Sequence, residues 1–316
     1  MKVIFKVLKV IGVILLLFFM LIVVLFIWAS FQPAVKEGYY ENVNTIQPLE
    51  QKYTNLGIYE VGYQVFEVND DVIKKYQIWY PVELESLQNA KRYPLVIMAN
   101  GSGVPASKYQ AIFAHLASWG FVVIGNEDGS SWSGKSSAQS LDYILNLNKN
   151  NESIFYQKID LENIGVAGHS QGGVGAINAV TAQENGDCYK TIYTASTTHL
   201  ALAEALGWPY DVSKITIPYF MTAGTLEIDA GNGKDPGIAP LFSLQENYDG
   251  ISDDVAKIYA RRVNTEHGNM LPYADGYMTA WLMYHLQGDE EAGKVFWGDD
   301  AEILSNKNWQ DVKKNQ

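Results

Sequence analysis

The chain has 316 residues, a formal net charge of −12 at pH 7, five histidines and one cysteine. Its length suits one large α/β domain with a sizeable core, and its acidic balance argues against nucleic acid and anionic headgroups as partners. The single cysteine, Cys188, excludes an intrachain disulfide.

The chain begins with an apolar segment that predicts a membrane anchor over residues 1–31. Val10 to Ala29 carries no charge, and as a helix rising about 1.5 Å per residue it would span roughly 30 Å, one bilayer core. Lysines precede this segment, which favours a cytoplasmic N-terminus and an extracytoplasmic remainder. The sequence around Trp28 is a poor cleavage site, so an uncleaved single-pass anchor in the cell membrane is favoured over secretion after signal cleavage.

A polar segment and a predicted hairpin follow the anchor. Residues 32–55 include Pro33 and Pro48 and predict a short stalk, linker or edge segment before one large domain over residues 56–316. Residues 59–66 and 75–81 predict two antiparallel strands joined by a turn. Apolar strands near residues 94, 121, 162, 190, 218 and 257 then alternate with helical segments, a pattern typical of a mostly parallel sheet with helices on both faces.

The first of these strands ends in a glycine-flanked turn. Tyr93 to Ala99 is apolar, and Asn100-Gly101-Ser102-Gly103 follows directly. A loop at the carboxyl end of a parallel strand can supply one of the backbone N–H donors that bind an oxyanion. Ser102 is therefore predicted to supply that donor, although the glycines could also simply end a strand.

A second turn predicts a nucleophilic serine. Gly168-His169-Ser170-Gln171-Gly172 lies between a short apolar strand and a helix rich in small residues. A serine on such a sharp turn needs small neighbours two positions away on each side, which Gly168 and Gly172 provide. The N–H of Gln171, directly after Ser170, is the predicted second oxyanion donor.

The base is expected after Ser170, because a nucleophilic serine on a strand-to-helix turn of a parallel sheet is followed along the chain by the acid and then the histidine. Of the histidines that follow, His285 lies in a helical apolar segment and His199 precedes any acid at a strand end. His267 follows a predicted strand and begins a loop, so it is the predicted base. His169, beside the nucleophile, is predicted to line the site.

The acid has two candidates. The strand ending near Ala223 is followed by Glu227 and Asp229, and either carboxylate at its carboxyl end could orient the imidazole. The nearby spacing of Asp229, Asn232 and Asp235 does not match a calcium loop, so no metal site is predicted.

Together these segments resemble the α/β-hydrolase superfamily, and within it the branch of cutinase-like polyester hydrolases, chlorophyllase-like esterases and platelet-activating-factor acetylhydrolases. The likeness covers roughly residues 56–300 and includes residues 116–124, the serine-rich residues 129–140 and Ala280-Trp281. The resemblance implies nucleophile Ser170, base His267 and acid Asp229, with Glu227 as the alternative. Trp132 is an additional candidate cleft residue.

The predicted function is a membrane-anchored, extracytoplasmic serine hydrolase that cleaves small or lipid carboxylic esters through an acyl-enzyme on Ser170, without a cofactor. A phospholipase, an acetylhydrolase or an acyltransferase of the same fold is the alternative. A catalytically inactive anchored binding module is the alternative of a different class, because a fold alone does not guarantee catalysis.

Overall fold

The structure is a computed structural model that describes residues 2–316, with the side chains of residues 2–10, 26, 27 and 29–31 outside the described set. The chain divides into two units, residues 1–34 and residues 35–316. The first unit contains helix α1 (Lys2–Phe31). Among the described residues, no helix combines the length and the apolar character that a membrane crossing requires. The predicted span, residues 10–29, includes positions whose side chains lie outside the described set.

The second unit contains one mixed sheet. Its strands, among the described residues, are β1 (Val61–Glu67), β2 (Lys75–Pro81), β3 (Tyr93–Ala99), β4 (Val122–Asn126), β5 (Ile159–His169), β6 (Thr191–Ala195), β7 (Tyr219–Gly224), β8 (Lys257–Arg262) and β9 (Trp309–Lys314). They lie in the order β1-β2-β4-β3-β5-β6-β7-β8-β9. Strands β3 to β8 are parallel, whereas β1, β2 and β9 pair antiparallel. The predicted hairpin and the mostly parallel sheet are both confirmed.

Helices cover both faces of this sheet, as predicted. They are α2 (Pro48–Thr54), α3 (Gln110–Ser118), α4 (Lys135–Lys149), α5 (Gln171–Thr181), α6 (Leu200–Ala205), α7 (Glu227–Ala230), α8 (Leu241–Gly250), α9 (Met270–Gln287), α10 (Glu290–Gly293) and α11 (Glu302–Ser305). Alternation along β3 shows the two faces. Leu95 and Ile97 pack in the cluster that includes α4 and α5, while Val96 and Met98 pack in the cluster that includes α3 and α9. Such a strand is apolar throughout because both of its faces are buried.

The strand order places two turns side by side. After β3 the chain adds β4 on one side of it, and then returns to add β5 on the other side. Ala99 at the end of β3 is paired with Gly168 near the end of β5. Ligands in open parallel sheets bind where the strand order reverses, outside the carboxyl ends of the strands. The turns that carry Ser102 and Ser170 meet at this point.

The domain starts earlier than the predicted boundary at residue 56. Within the predicted linker, residues 48–54 form α2, and its Glu50 is 1 % exposed. The Glu50 carboxylate accepts hydrogen bonds from Arg262 Nη1 (2.9 Å) and Trp309 Nε1 (2.8 Å). Residues 35–55 belong to the domain because this buried carboxylate is satisfied only by partners far along the chain. Strand β9, which contains Trp309, lies beyond the strands that the sequence pattern predicted.

Candidate active site

Ser170 occupies a strained turn between β5 and α5. Its backbone angles are φ 59° and ψ −125°, in a region that residues with a side chain rarely adopt and that costs about 1–3 kcal/mol. A Cβ atom at Gly168 would lie 2.0 Å from the carbonyl oxygen of Gly172, and one at Gly172 would lie 2.2 Å from that of Ala99. The strand, turn and helix are confirmed, and both glycines are sterically required.

The turn after β3 is held by hydrogen bonds to the end of β4 and to the segment that follows it. Asn100 Nδ2 donates to the carbonyl oxygens of Asn126 and Asp128, both at 2.8 Å, and the Asn100 carbonyl accepts from Ser131 Oγ at 2.5 Å. A Cβ atom at Gly101 would lie 3.4 Å from the His169 carbonyl, so this turn lies against the serine turn. These buried bonds fix the backbone that leads into Ser102, which is itself exposed.

Gln171 is the first residue of α5. The first N–H groups of a helix have no partner within the helix and carry its positive partial charge, so they favour a developing oxyanion. The Ser170 N–H, in contrast, donates to the Ala195 carbonyl at 2.9 Å, which ties the turn to the end of β6. The start of α5 and the turn of Ser102 thus lie on two neighbouring loops, the arrangement from which oxyanion holes are built.

His267 and Asp229 form a hydrogen-bonded pair. Asp229 Oδ1 lies 2.7 Å from His267 Nδ1, and the Asp229 side chain is fully buried whereas that of His267 is 14 % exposed. The other carboxylate oxygen, Oδ2, accepts from Ser196 Oγ at 2.5 Å and from the Gly224 N–H at 2.7 Å. With Nδ1–H donated to Asp229, the Nε2 atom of a neutral His267 is left as a proton acceptor.

Glu227, the alternative acid, lies elsewhere. Its side chain is exposed, and Oε1 accepts from Asn232 Nδ2 at 2.6 Å. Only two positions separate it from Asp229, yet the one turn of α7 directs the two carboxylates differently. Of the two sequence candidates, the structure brings Asp229 to His267.

His169 connects the serine turn to the histidine loop. Its Nε2–H donates to the His267 carbonyl at 2.8 Å, and the two ring centroids are 4.6 Å apart. Burial, and then the proximity of His267, lower the pKa of His169 to about 4, so the ring is neutral near pH 7. His169 therefore lies between the serine turn and the loop of His267, and its Nε2–H holds that loop.

Ser196 was not among the predicted site residues, whereas Trp132 was a candidate cleft residue. Ser196 follows β6 with φ 51°, and its hydroxyl donates to Asp229. The sequence feature that could have indicated Ser196 is its position directly after β6, the strand that neighbours the one before Asp229. Trp132 packs partly buried against the core, and its carbonyl accepts from Asn178 Nδ2 at 2.8 Å. Within the described part of the chain, no group of three or more His, Cys, Asp or Glu could hold a metal ion.

Comparison with known proteins identifies the family. A family model described as PETase, PET hydrolase-like, matches residues 74–308, which includes both turns, Asp229 and His267. No curated protein matches the chain. The match covers most of the second unit, and the family is one of ester-hydrolysing enzymes within the α/β-hydrolase superfamily. The chain therefore belongs to the PET hydrolase-like family, and the resemblance expected from its sequence motifs is confirmed.

Proposed function

We propose that this protein is a serine carboxylic-ester hydrolase whose triad is Ser170, His267 and Asp229. The observation that carries the proposal is the 2.7 Å pair of His267 Nδ1 and Asp229 Oδ1 beside a strained serine turn. Three supports are independent of that pair: the steric need for glycine around Ser170, the turn of Ser102, and the family match.

The proposed chemistry is a two-step acyl transfer. Ser170 Oγ attacks the ester carbonyl while its proton passes to His267 Nε2, and Asp229 stabilises the imidazolium that forms. The N–H groups of Ser102 and Gln171 receive the oxyanion. His267 then returns the proton to the departing alcohol, and water, activated by the same histidine, releases the acid and regenerates Ser170.

Hydrolysis of p-nitrophenyl esters from acetate to palmitate tests the proposal directly. Ser170→Ala and His267→Ala should each lower kcat by at least about a thousandfold, because each removes a group that acts in both steps. Ser252→Ala, an exposed serine outside the site, is the matched control. The chain-length profile separates small esters from the lipid esters of an acetylhydrolase or phospholipase. Absent turnover, with Ser170 unlabelled by a fluorophosphonate in folded protein, would favour an inactive binding module.

We further propose that residues 1–31 anchor the enzyme in the cell membrane with its domain on the extracytoplasmic side. Support comes from the uncharged run between Val10 and Ala29 and the lysines before it. Large apolar side chains from Ile11 to Leu25 are exposed, with values between 38 % and 63 %. Fractionation of cells that express the full chain, with alkaline carbonate extraction and protease accessibility, tests both parts. Recovery of the full chain in the soluble fraction would refute the anchor.

A further inference from the structure

A cavity of about 840 Å³ lies beside the acid and the base of the proposed triad. Its wall includes Glu227 and Ile228, directly before Asp229, and Glu266, directly before His267. His199, one side of α6, Asn232 and residues 234–238 complete the lining. The acyl-transfer steps use none of these side chains, yet the volume exceeds what a short acyl or alkoxy group would need.

The residues that follow Asp229 are held in place by backbone bonds. The Ile238 N–H donates to the Ile228 carbonyl at 2.7 Å, and the His199 N–H donates to the Ile238 carbonyl at 2.9 Å. Gly237 has φ 81°, and a Cβ atom there would lie 2.4 Å from the Asp229 carbonyl. The cavity wall is thus fixed to the same backbone that carries the acid.

His199 provides a hydrogen-bond donor in this wall. The residue is 6 % exposed, and its Nδ1 accepts from the Leu202 N–H at 3.3 Å as the N-cap of α6. Burial lowers the pKa of His199, against the opposing influence of Glu246 and Asp235, so the ring is neutral at pH 7. A neutral ring that accepts at Nδ1 carries its proton on Nε2. That N–H has no hydrogen-bond partner among the residues that the structure describes.

The charges around the cavity are mostly negative. Glu227, Asp235 and Glu266 contribute three carboxylates, whereas Lys234 contributes one ammonium group. Glu266 Oε2 is buried and has no hydrogen-bond partner among the described residues, so no donor there offsets the charge of this carboxylate oxygen. Apolar groups, among them Leu202, Ile228 and Ile238, form the rest of the wall.

We propose that this cavity binds the part of the ester that extends beyond the scissile bond, and selects extensions that are uncharged or cationic and carry a hydrogen-bond-accepting oxygen. The apolar wall contacts the body of the extension, and the Nε2–H of His199 donates to its oxygen. The carboxylates disfavour an anionic extension. This inference rests on the proposed ester hydrolase activity and assigns its substrate class.

Matched substrates test the charge preference. We would compare p-nitrophenyl esters whose acyl chains have equal length and end in a methyl ester, a carboxylate, a trimethylammonium group or a methyl group. The carboxylate ester should have a kcat/KM about threefold to tenfold below that of the methyl ester, a gap that narrows with added salt. The double variant Glu227→Gln with Asp235→Asn should reduce this gap.

Two further variants test the His199 donor and the space inside the cavity. His199→Asn keeps an N-cap acceptor for α6 but is too short to place the same donor, so it should reduce the preference for a methyl-ester end over a methyl end about fivefold. Ala205→Trp, exposed in the cavity wall, should lower kcat/KM for long esters more than for acetate. Leu206→Trp is the control, because Leu206 is exposed at the same helix end but lies outside the cavity lining. It should leave kcat/KM unchanged both for long esters and for acetate.

The outcomes separate this inference from the proposed function. Turnover of p-nitrophenyl acetate that is lost in Ser170→Ala, with equal kcat/KM for anionic and neutral extensions, would overturn the cavity assignment alone. Turnover of no ester would overturn both. A preference for the neutral extension that the double variant removes would support the assignment.

Discussion

Replacement of Asp229 by Asn tests the proposed acid most sharply, because the surroundings of the side chain force its orientation. The oxygen that bonds to the Gly224 N–H (2.7 Å) must remain an acceptor, since a main-chain N–H can only donate. In Asp229→Asn the amide oxygen therefore takes this place, and the amide NH2 group faces His267 Nδ1. The histidine must then accept at Nδ1 and carry its proton on Nε2, which leaves no acceptor for the proton of Ser170.

This change of tautomer predicts a fall in kcat of about 10⁴, equivalent to about 5.5 kcal/mol of transition-state stabilisation. Restoring the active tautomer would turn two donors toward each other in a fully buried place, at a cost of several kcal/mol. Steady-state hydrolysis of p-nitrophenyl acetate measures kcat, and Asp254→Asn, an exposed carboxylate, is the control. If Asp229→Asn in folded protein retained more than a tenth of the wild-type kcat, the assignment of Asp229 would be wrong.

Further predictions concern stability, measured by urea unfolding. Gly172→Ala places a Cβ atom 2.2 Å from the Ala99 carbonyl and should lower the free energy of unfolding by about 3 kcal/mol; an unchanged midpoint would contradict the steric argument. Burial, and then a nearby lysine, lower the pKa of His285 to about 4. The stability that the neutral His285 ring provides is therefore complete above the unfolded pKa near 6.5 and is lost as pH falls toward 4. Between about pH 4 and 6.5, His285→Phe should reduce the slope of the free energy of unfolding against pH by about 1.4 kcal/mol per pH unit. An unchanged slope would show that the pKa of His285 is not lowered. Burial opposes the charge of His115, but Asp275 and two backbone carbonyls outweigh it and raise the pKa of His115. The stability that protonated His115 provides is therefore complete below its pKa in the unfolded chain and is lost as pH rises through its pKa in the folded protein. The free energy of unfolding should fall as pH rises through this range in wild type, and should fall less in His115→Gln.

The local sequence determined the elements around the serine. Gly168 and Gly172 bracket Ser170 because the turn leaves no room for a Cβ atom at either place. The five residues 168–172 alone are enough to predict this turn. The parallel strands were equally readable, because burial on both faces makes each one an uninterrupted apolar run. The order of the turns along the chain then followed from the architecture that these strands predict.

Tertiary structure decided the choices that depend on distant partners. Glu227 and Asp229 are both acids after the same strand, but Asp229 is buried, receives hydrogen bonds from Ser196 and Gly224 and contacts His267, whereas Glu227 is exposed. The domain boundary likewise depends on Glu50, whose buried charge is satisfied by residues more than 200 positions away. Sequence patterns report the periodicity of burial along one segment, whereas a buried carboxylate is stabilised by whichever donors the fold brings to it, and those donors leave no local pattern.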